Sequence, residues 1–385
     1  MKKILFLPLL QLRSGHHQVA DALMDSIQKY SNSTICKKVD LVSYTNKTLE
    51  KLVTNCYLKW IRYAPETYHH AYKNVFSTPA KTDYFFRWHQ SFFMNKMRQL
   101  LTEEAPDMVV CTQSFPSYLL SKIKRIERCN VPVINVYTDF FVNGIWGKEG
   151  IDAHFLPCRE VKETLSSSIP AHKMIVTGIP VHEEILKSEK QENAIKRPRI
   201  LIAGGNSGLG KILTLVQELS ESSHYDYLVL CGKNKPLYEE IHSWNNERIQ
   251  PLSYISSRKA MNKLYEQADA IITKPGGVTI SEALQKEVPI FIHSMLPGQE
   301  KINMNYLKKH HLVFELEEHT PLEQQLKNTL ADEIKMGRWK QSITTYHEEI
   351  ELKSPKGVVE IFDRMLEKRI QKKRIDFQLK CAFFN

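Results

Sequence analysis

Among the seven cysteines of this 385-residue sequence there is no CxxC pair and no regular spacing. That pattern argues against a disulfide framework and fits a reducing compartment. Long hydrophobic runs are missing as well, since nothing approaches the ~20 apolar residues of a membrane-spanning helix. Met1-Lys2-Lys3 followed by Ile4 to Leu10 imitates a signal peptide, but the run is short, holds Pro8 and lacks a small-x-small cleavage site. A buried first strand is the better reading, and a cytoplasmic location is expected. No zinc-finger, RRM, KH or helix-turn-helix signature accompanies the net charge of +10. An anionic membrane surface is therefore the expected polyanionic partner, and nucleic acid is not. Internal repeats and low-complexity tracts are also lacking.

What is present is an ordinary globular composition, 42% apolar and 25% charged, on a chain long enough for two domains. The organising stretch runs from Ala268 to Asn303. A short apolar strand (Ala270 to Thr273) leads into the loop Lys274-Pro275-Gly276-Gly277, a helix is predicted from about Thr279, and a buried strand follows from Val288 to His293. Glycines admit φ > 0 and close backbone approach. A helix N-terminus behind them offers free N–H groups and the positive end of a dipole, a seat for phosphate or diphosphate. Glu282 stands one turn in, where a carboxylate can take the two hydroxyls of a ribose. Each part also has a plainer reading: Gly-Gly as a tight turn, and Thr279 to Glu282 as a capping box.

KPGGVTISEAL followed by PGQE closely resembles the donor-binding segment of family-28-type GT-B glycosyltransferases. That group contains the bacterial diacylglycerol glucosyltransferases and the plant monogalactosyldiacylglycerol synthases. The resemblance implies that Gly276, Gly277 and Thr279 face the donor diphosphate, that Glu282 holds the ribose, and that Gln299 and Glu300 reach the sugar hydroxyls. It extends to Gly15-His16 and the following QVADAL, to Thr138-Asp139, to Gly178-Ile179-Pro180-Val181 and to Cys231-Gly232-Lys233-Asn234. The loop Gly204 to Gly210, with Gly205, Asn206 and Ser207, is not a full GxGxxG or P-loop; its family counterpart lies near the donor phosphates. One departure concerns DFFVNGIW, where lipid-acting members usually carry a histidine a few residues after the aspartate and this chain has Asn143.

The implied architecture is α/β of the GT-B type, two Rossmann-like doubly wound domains facing a cleft. Residues 1–180 form the acceptor and membrane domain, 197–350 the nucleotide-sugar domain, and 355–385 a helical tail that returns to the first. Strands are predicted at Lys3 to Leu10, Ile35 to Val42, Met108 to Cys111 and Pro132 to Tyr137. A strand-poor segment between the second and third is rich in aromatic and basic residues, with Tyr57, Trp60, Tyr68, Tyr72 and Phe76 among Lys59, Arg62 and Lys73. Apolar rings beside snorkelling cations suit an interfacial helix, and equally a pair of ordinary core helices. The tail carries the basic cluster Lys368, Arg369, Lys372, Lys373 and Arg374, which could touch anionic lipid.

A nucleotide-sugar transferase must stabilise a departing diphosphate and deprotonate an attacking hydroxyl. No two aspartates stand two residues apart, and no His/Cys/Asp cluster has metal-ligand spacing. Backbone N–H groups at the glycine loops are then expected to meet the leaving group, without a metal or other cofactor. His16 and Asp139 are the two candidates for the base. The expected reaction is inverting transfer of a hexose from a UDP-sugar to a membrane lipid such as diacylglycerol, peripherally at the inner face of the cell membrane. The alternatives are another membrane or isoprenoid acceptor, or a UDP-sugar-binding regulator without turnover.

Overall fold

The computed structural model describes the whole chain except residues 10–13, 32, 47, 49, 53, 56–58, 61–66, 68–78, 128, 187–196, 205–211, 220–223, 297 and 384–385, and except the side chains of 79–90 and 372–385. The chain divides into two compact units, Met1–Pro180 with Ile350–Asn385, and Val181–Glu349.

The first unit holds strands β1 (Lys2–Leu7), β2 (Thr34–Lys38), β3 (Met108–Cys111), β4 (Val133–Val136), β5 (Ala153–Leu156) and β6 (Met174–Val176). Its helices are α1 (Gly15–Tyr30), α2 (Leu41–Thr45), α3 (Pro79–Glu104), α4 (Ser114–Ile126) and α5 (Arg159–Leu165). The strands form one parallel sheet in the order β2-β1-β3-β4-β5-β6. Every residue of β3, β4 and β5 is buried, as parallel strands covered on both faces require. Helix α1 buries Val19, Ala20, Leu23 and Ile27 at the predicted spacing. Two strand ends differ from expectation. The first strand, predicted to Leu10, stops at Leu7, before Pro8, which has no N–H for the ladder. The strand predicted to Val42 stops at Lys38, and Leu41 and Val42 are buried by the short helix α2 instead. Four residues of apolar pattern do not separate strand from helix, and either state buries this pair.

The second unit holds β7 (Arg199–Ala203), β8 (Asp226–Gly232), β9 (Ile249–Ser253), β10 (Ala270–Thr273), β11 (Ile290–Ile292) and β12 (Phe314–Glu315). Its helices are α6 (Ile212–Glu218), α7 (Lys235–Ser243), α8 (Arg258–Gln267), α9 (Gly277–Gln285), α10 (Gln299–Lys309), α11 (Leu322–Leu330) and α12 (Glu333–Glu348). Read from one edge, the parallel sheet runs β9-β8-β7-β10-β11-β12, the 3-2-1-4-5-6 order of a dinucleotide-binding fold. Ile200, Ile202, Tyr227, Val229, Ile272 and Phe291 centre its core.

The final helix, α13 (Pro355–Phe383), packs on the first unit. Phe362 meets Phe155 with ring centroids 5.7 Å apart, and Arg369 Nη1 donates to the Pro106 carbonyl at 2.8 Å. No helix among the described residues is long and apolar enough to cross a membrane.

Both sheets reverse their strand order once, and ligands of such sheets collect outside the carboxyl ends of the strands at that reversal. In the first unit the reversal lies between β1 and β3, and in the second between β7 and β10.

Candidate functional site

At the reversal of the second sheet, Thr273 Oγ1 donates to the Ala203 carbonyl at 2.9 Å and ties the ends of β10 and β7 together. The chain leaves β10 through Lys274 and Pro275, and α9 begins at Gly277, two residues before the predicted start. Gly276 is its N-cap, with no side-chain cap, so the first-turn N–H groups lack the partner a serine or aspartate would supply. Neither glycine is there for a positive φ: Gly276 is extended at φ −88° and Gly277 is helical. Gly276 gives room instead. A Cβ built on it would meet nothing within 4 Å, so the backbone faces open space. Thr279 is the third residue of the helix and not its cap, so the capping box with Glu282 does not form.

Glu282 is buried on α9, and Tyr265 of α8 donates its hydroxyl to Glu282 Oε2 at 2.9 Å. Burial pushes the Glu282 carboxyl above the usual range, opposed by the Tyr265 bond and the Arg258 charge. The Tyr265 phenol is driven well up by burial and by Glu282.

Helix α10 starts after Gly298, whose φ of 104° suits glycine. Gln299 and Glu300 are its first two residues, and Glu300 Oε2 accepts from the Leu296 N–H at 2.6 Å. Asn303 Nδ2 donates to the Pro275 carbonyl at 3.1 Å, which fastens α10 to the glycine loop. Lys274 is only 8% exposed. Burial lowers its pKa, while the Glu300 carboxylate raises it. The same lysine, after burial, helps push His293 down to about 4. Lys274 and Asn303 were not singled out as site residues from sequence. The signal for Lys274 was available, a lysine directly after a fully buried strand at a strand-order reversal. Gly205, Asn206 and Ser207 lie outside the described residues.

In the first unit His16 is the second residue of α1, and its Nδ1 stands 2.7 Å from Thr138 Oγ1. Burial lowers its pKa, Asp139 raises it, His17 lowers it, and a hydrogen bond with the Thr112 backbone raises it. Residues after β1, β3 and β4 thus converge: His16, Thr112, and the pair Thr138 and Asp139. His17 points elsewhere, with Nε2 2.9 Å from Asp40 Oδ1 at the start of α2. Asn143 Oδ1 accepts from the Ile145 N–H at 3.1 Å, a turn contact. Trp60 is 43% exposed and donates to Thr67 Oγ1; Tyr68 lies outside the described residues, as do Tyr57, Tyr72 and Phe76. Among the described residues no three His, Cys, Asp or Glu side chains gather as around a metal ion.

The family model for monogalactosyldiacylglycerol (MGDG) synthase matches residues 16–181, and that for the glycosyltransferase family 28 C-terminal domain matches 199–352. The uncharacterised glycosyltransferase YkoN of Bacillus subtilis is 44% identical over 319 residues, 82% of this chain and 84% of that protein. The chain belongs to the family 28 glycosyltransferases of the monogalactosyldiacylglycerol synthase group. It is also 27% identical over 345 residues to a processive diacylglycerol β-glucosyltransferase of Bacillus cereus, covering 87% of each chain. The fold is GT-B. MurG of Acinetobacter baumannii superposes with a TM-score of 0.58 at 15% identity, over 94% of this chain and 100% of that one. A Streptomyces glycosyltransferase, SsfS6, complexed with thymidine diphosphate gives 0.58 at 10% identity, over 94% and 100%. These matches carry the fold alone; the family rests on the sequence matches.

Proposed function

We propose that this glycosyltransferase moves a hexose from a UDP-sugar to a membrane lipid such as diacylglycerol, with inversion and without a metal. The observation that carries the donor half is the uncapped start of α9 at the strand-order reversal of the second sheet. Gly276 opens space in front of it, and a buried lysine lies beside it. The Lys274 ammonium makes no hydrogen bond or ion pair among the described residues, so its charge is available to an anion. The Gly276 N–H is held by the Lys274 carbonyl at 2.8 Å, so the Gly277–Thr279 N–H groups and Lys274 then meet the diphosphate, Glu282 takes the ribose hydroxyls, and Gln299 and Glu300 take those of the hexose. Gly205, Asn206 and Ser207 join the phosphate side on the strength of the resemblance.

For the acceptor half, the tautomer in which His16 Nδ1–H donates to Thr138 Oγ1 makes Nε2 the nitrogen that takes a proton. The acceptor oxygen bonds to the anomeric carbon as the bond from that carbon to the diphosphate oxygen breaks. The hydroxyl proton passes to His16, and the departing charge falls on the diphosphate. Asp139 steadies the imidazolium that forms. A single displacement inverts the anomeric centre. The missing Asp-x-Asp spacing and this set of backbone and lysine donors support the metal-free reading.

The lipid acceptor is supported by the diacylglycerol glucosyltransferase relatives and by exposed Trp60 in a basic, aromatic stretch. The enzyme would then act peripherally at the inner face of the membrane. The test is one incubation with radiolabelled UDP-glucose, UDP-galactose or UDP-GlcNAc and total membrane lipid, resolved by chromatography. Label in a new glycolipid is the expected result. Label in a water-soluble product would overturn the lipid acceptor, and no transfer from any donor would favour a binding protein without turnover.

A further inference from the structure

We propose that Tyr265 is a positioning residue for nucleotide binding, its hydroxyl holding the Glu282 carboxylate in the orientation that takes the ribose hydroxyls. The inference rests on the reading of Glu282 as the ribose acceptor. Tyr265 is 1% exposed and Glu282 9%, and they belong to different helices, α8 and α9. The 2.9 Å bond is donated by the phenol to Oε2. A carboxylate has acceptor sites on both oxygens. Fixing Oε2 fixes the carboxylate plane and leaves Oε1 as the oxygen a ribose diol can meet.

The chemistry of the pair fits that task. Burial alone favours the neutral acid, and the Tyr265 bond works against burial in keeping Glu282 an acceptor. A phenol held this far above its ordinary pKa stays protonated, so it donates without adding charge. The plain alternative is that Tyr265 only fills the core. Phenylalanine would fill the same space, and a buried hydroxyl without a partner is costly. The oxygen therefore needs Glu282, whatever the ring does, and the question is whether nucleotide binding needs the oxygen.

Calorimetric titration with UDP and with 2′,3′-dideoxy-UDP answers it. The wild type should prefer UDP by roughly tenfold or more. Tyr265→Phe should weaken UDP binding by about three- to tenfold and leave dideoxy-UDP affinity unchanged. Glu282→Ala should abolish the preference, and the double variant should bind as Glu282→Ala alone, because Tyr265 acts only through Glu282. Equal losses for both nucleotides, or a Tyr265→Phe protein that discriminates as well as wild type, would overturn the proposal and leave the ribose reading standing. A wild type that does not discriminate would overturn both. Should phenylalanine unfold the chain, 4-aminophenylalanine at position 265 returns an N–H donor to the same place. It should retain the preference for UDP, and its loss in a folded protein would count against the proposal.

Discussion

Replacing His16 by alanine tests the acceptor chemistry most directly. A positioned general base contributes about 10²- to 10⁴-fold, or roughly 2.7–5.5 kcal/mol of barrier. The structural cost is smaller. His16 gives up its hydrogen bonds to Thr138 and to the Thr112 backbone, worth about 1 kcal/mol each, and alanine is a good residue early in a helix. A hundredfold loss of kcat with a nearly unchanged melting temperature therefore cannot be assigned to unfolding. UDP affinity, read by titration, should not change. The pH profile adds a second constraint. Because His16 is held below the ordinary histidine value of 6.5, it is neutral and able to accept a proton at pH 7. The acid limb of kcat/KM should fall below 6.5. Asp139 raises the His16 pKa, so Asp139→Asn should move that limb to still lower pH while slowing the reaction. If Asp139 is itself the base, the limb vanishes in Asp139→Asn and the larger loss moves to that variant. His16→Ala activity within about threefold of wild type, or an acid limb that survives the substitution, would refute the assignment. The adjacent His17 is unsuitable as a control, since it is buried and bonded to Asp40, which makes its removal a stability change.

Three further outcomes are expected. His154 is fully buried and held at about 3 by burial and by the Lys173 and Lys148 charges. Above 6.5 folded and unfolded chains bind the same protons there; below it only the unfolded chain gains one, so stability falls by up to about 1.4 kcal/mol per pH unit down to that value. Thermal melts at pH 7 and 5 should show the first unit weakening, and His154→Gln should flatten the dependence; parallel curves would contradict the buried neutral histidine. Excess EDTA should leave the transfer rate unchanged, whereas activity lost to EDTA and restored by Mn²⁺ would replace the helix-and-lysine account of the leaving group. Cosedimentation with vesicles should rise with anionic lipid and fall in high salt, and Trp60→Ser should weaken it further; indifference to vesicles of any charge would favour a soluble acceptor.

Much of this was legible because the decisive signals are local. Met108–Cys111 and Ala270–Thr273 read as strands at their observed bounds, since short, mostly apolar runs between polar loops suit parallel strands buried on both faces. His16, Asp139 and Lys274-Pro275-Gly276-Gly277 follow the strands β1, β4 and β10, and position after a strand end makes them candidates from sequence. Boundaries failed where two local rules competed. Thr279 and Glu282 have capping-box spacing, yet Gly276 takes the N-cap and α9 starts two residues earlier. The two added residues lengthen the helix by about half a turn, and both Gly277 and Val278 are buried.

Partnerships were not legible, and the reason is geometric. Thr138 lies 122 residues from His16, and Tyr265 sits 17 residues before Glu282 on a different helix. No periodicity within one element encodes either distance; both are set by how successive βα units are laid against a sheet whose strand order reverses. The charge state of each group is likewise a property of the assembled fold. Lys274 reads as an ordinary cation in a polar loop, but the folded chain buries it beside Glu300 and His293. A lysine left in water would pair with a diphosphate weakly. One that has already lost its water, with no hydrogen-bonding partner for its ammonium among the described residues, gains more from an anion, because the desolvation is met in folding and the attraction acts in a lower dielectric. Position at a strand end thus says where a ligand group can go, and burial decides how strongly it is held.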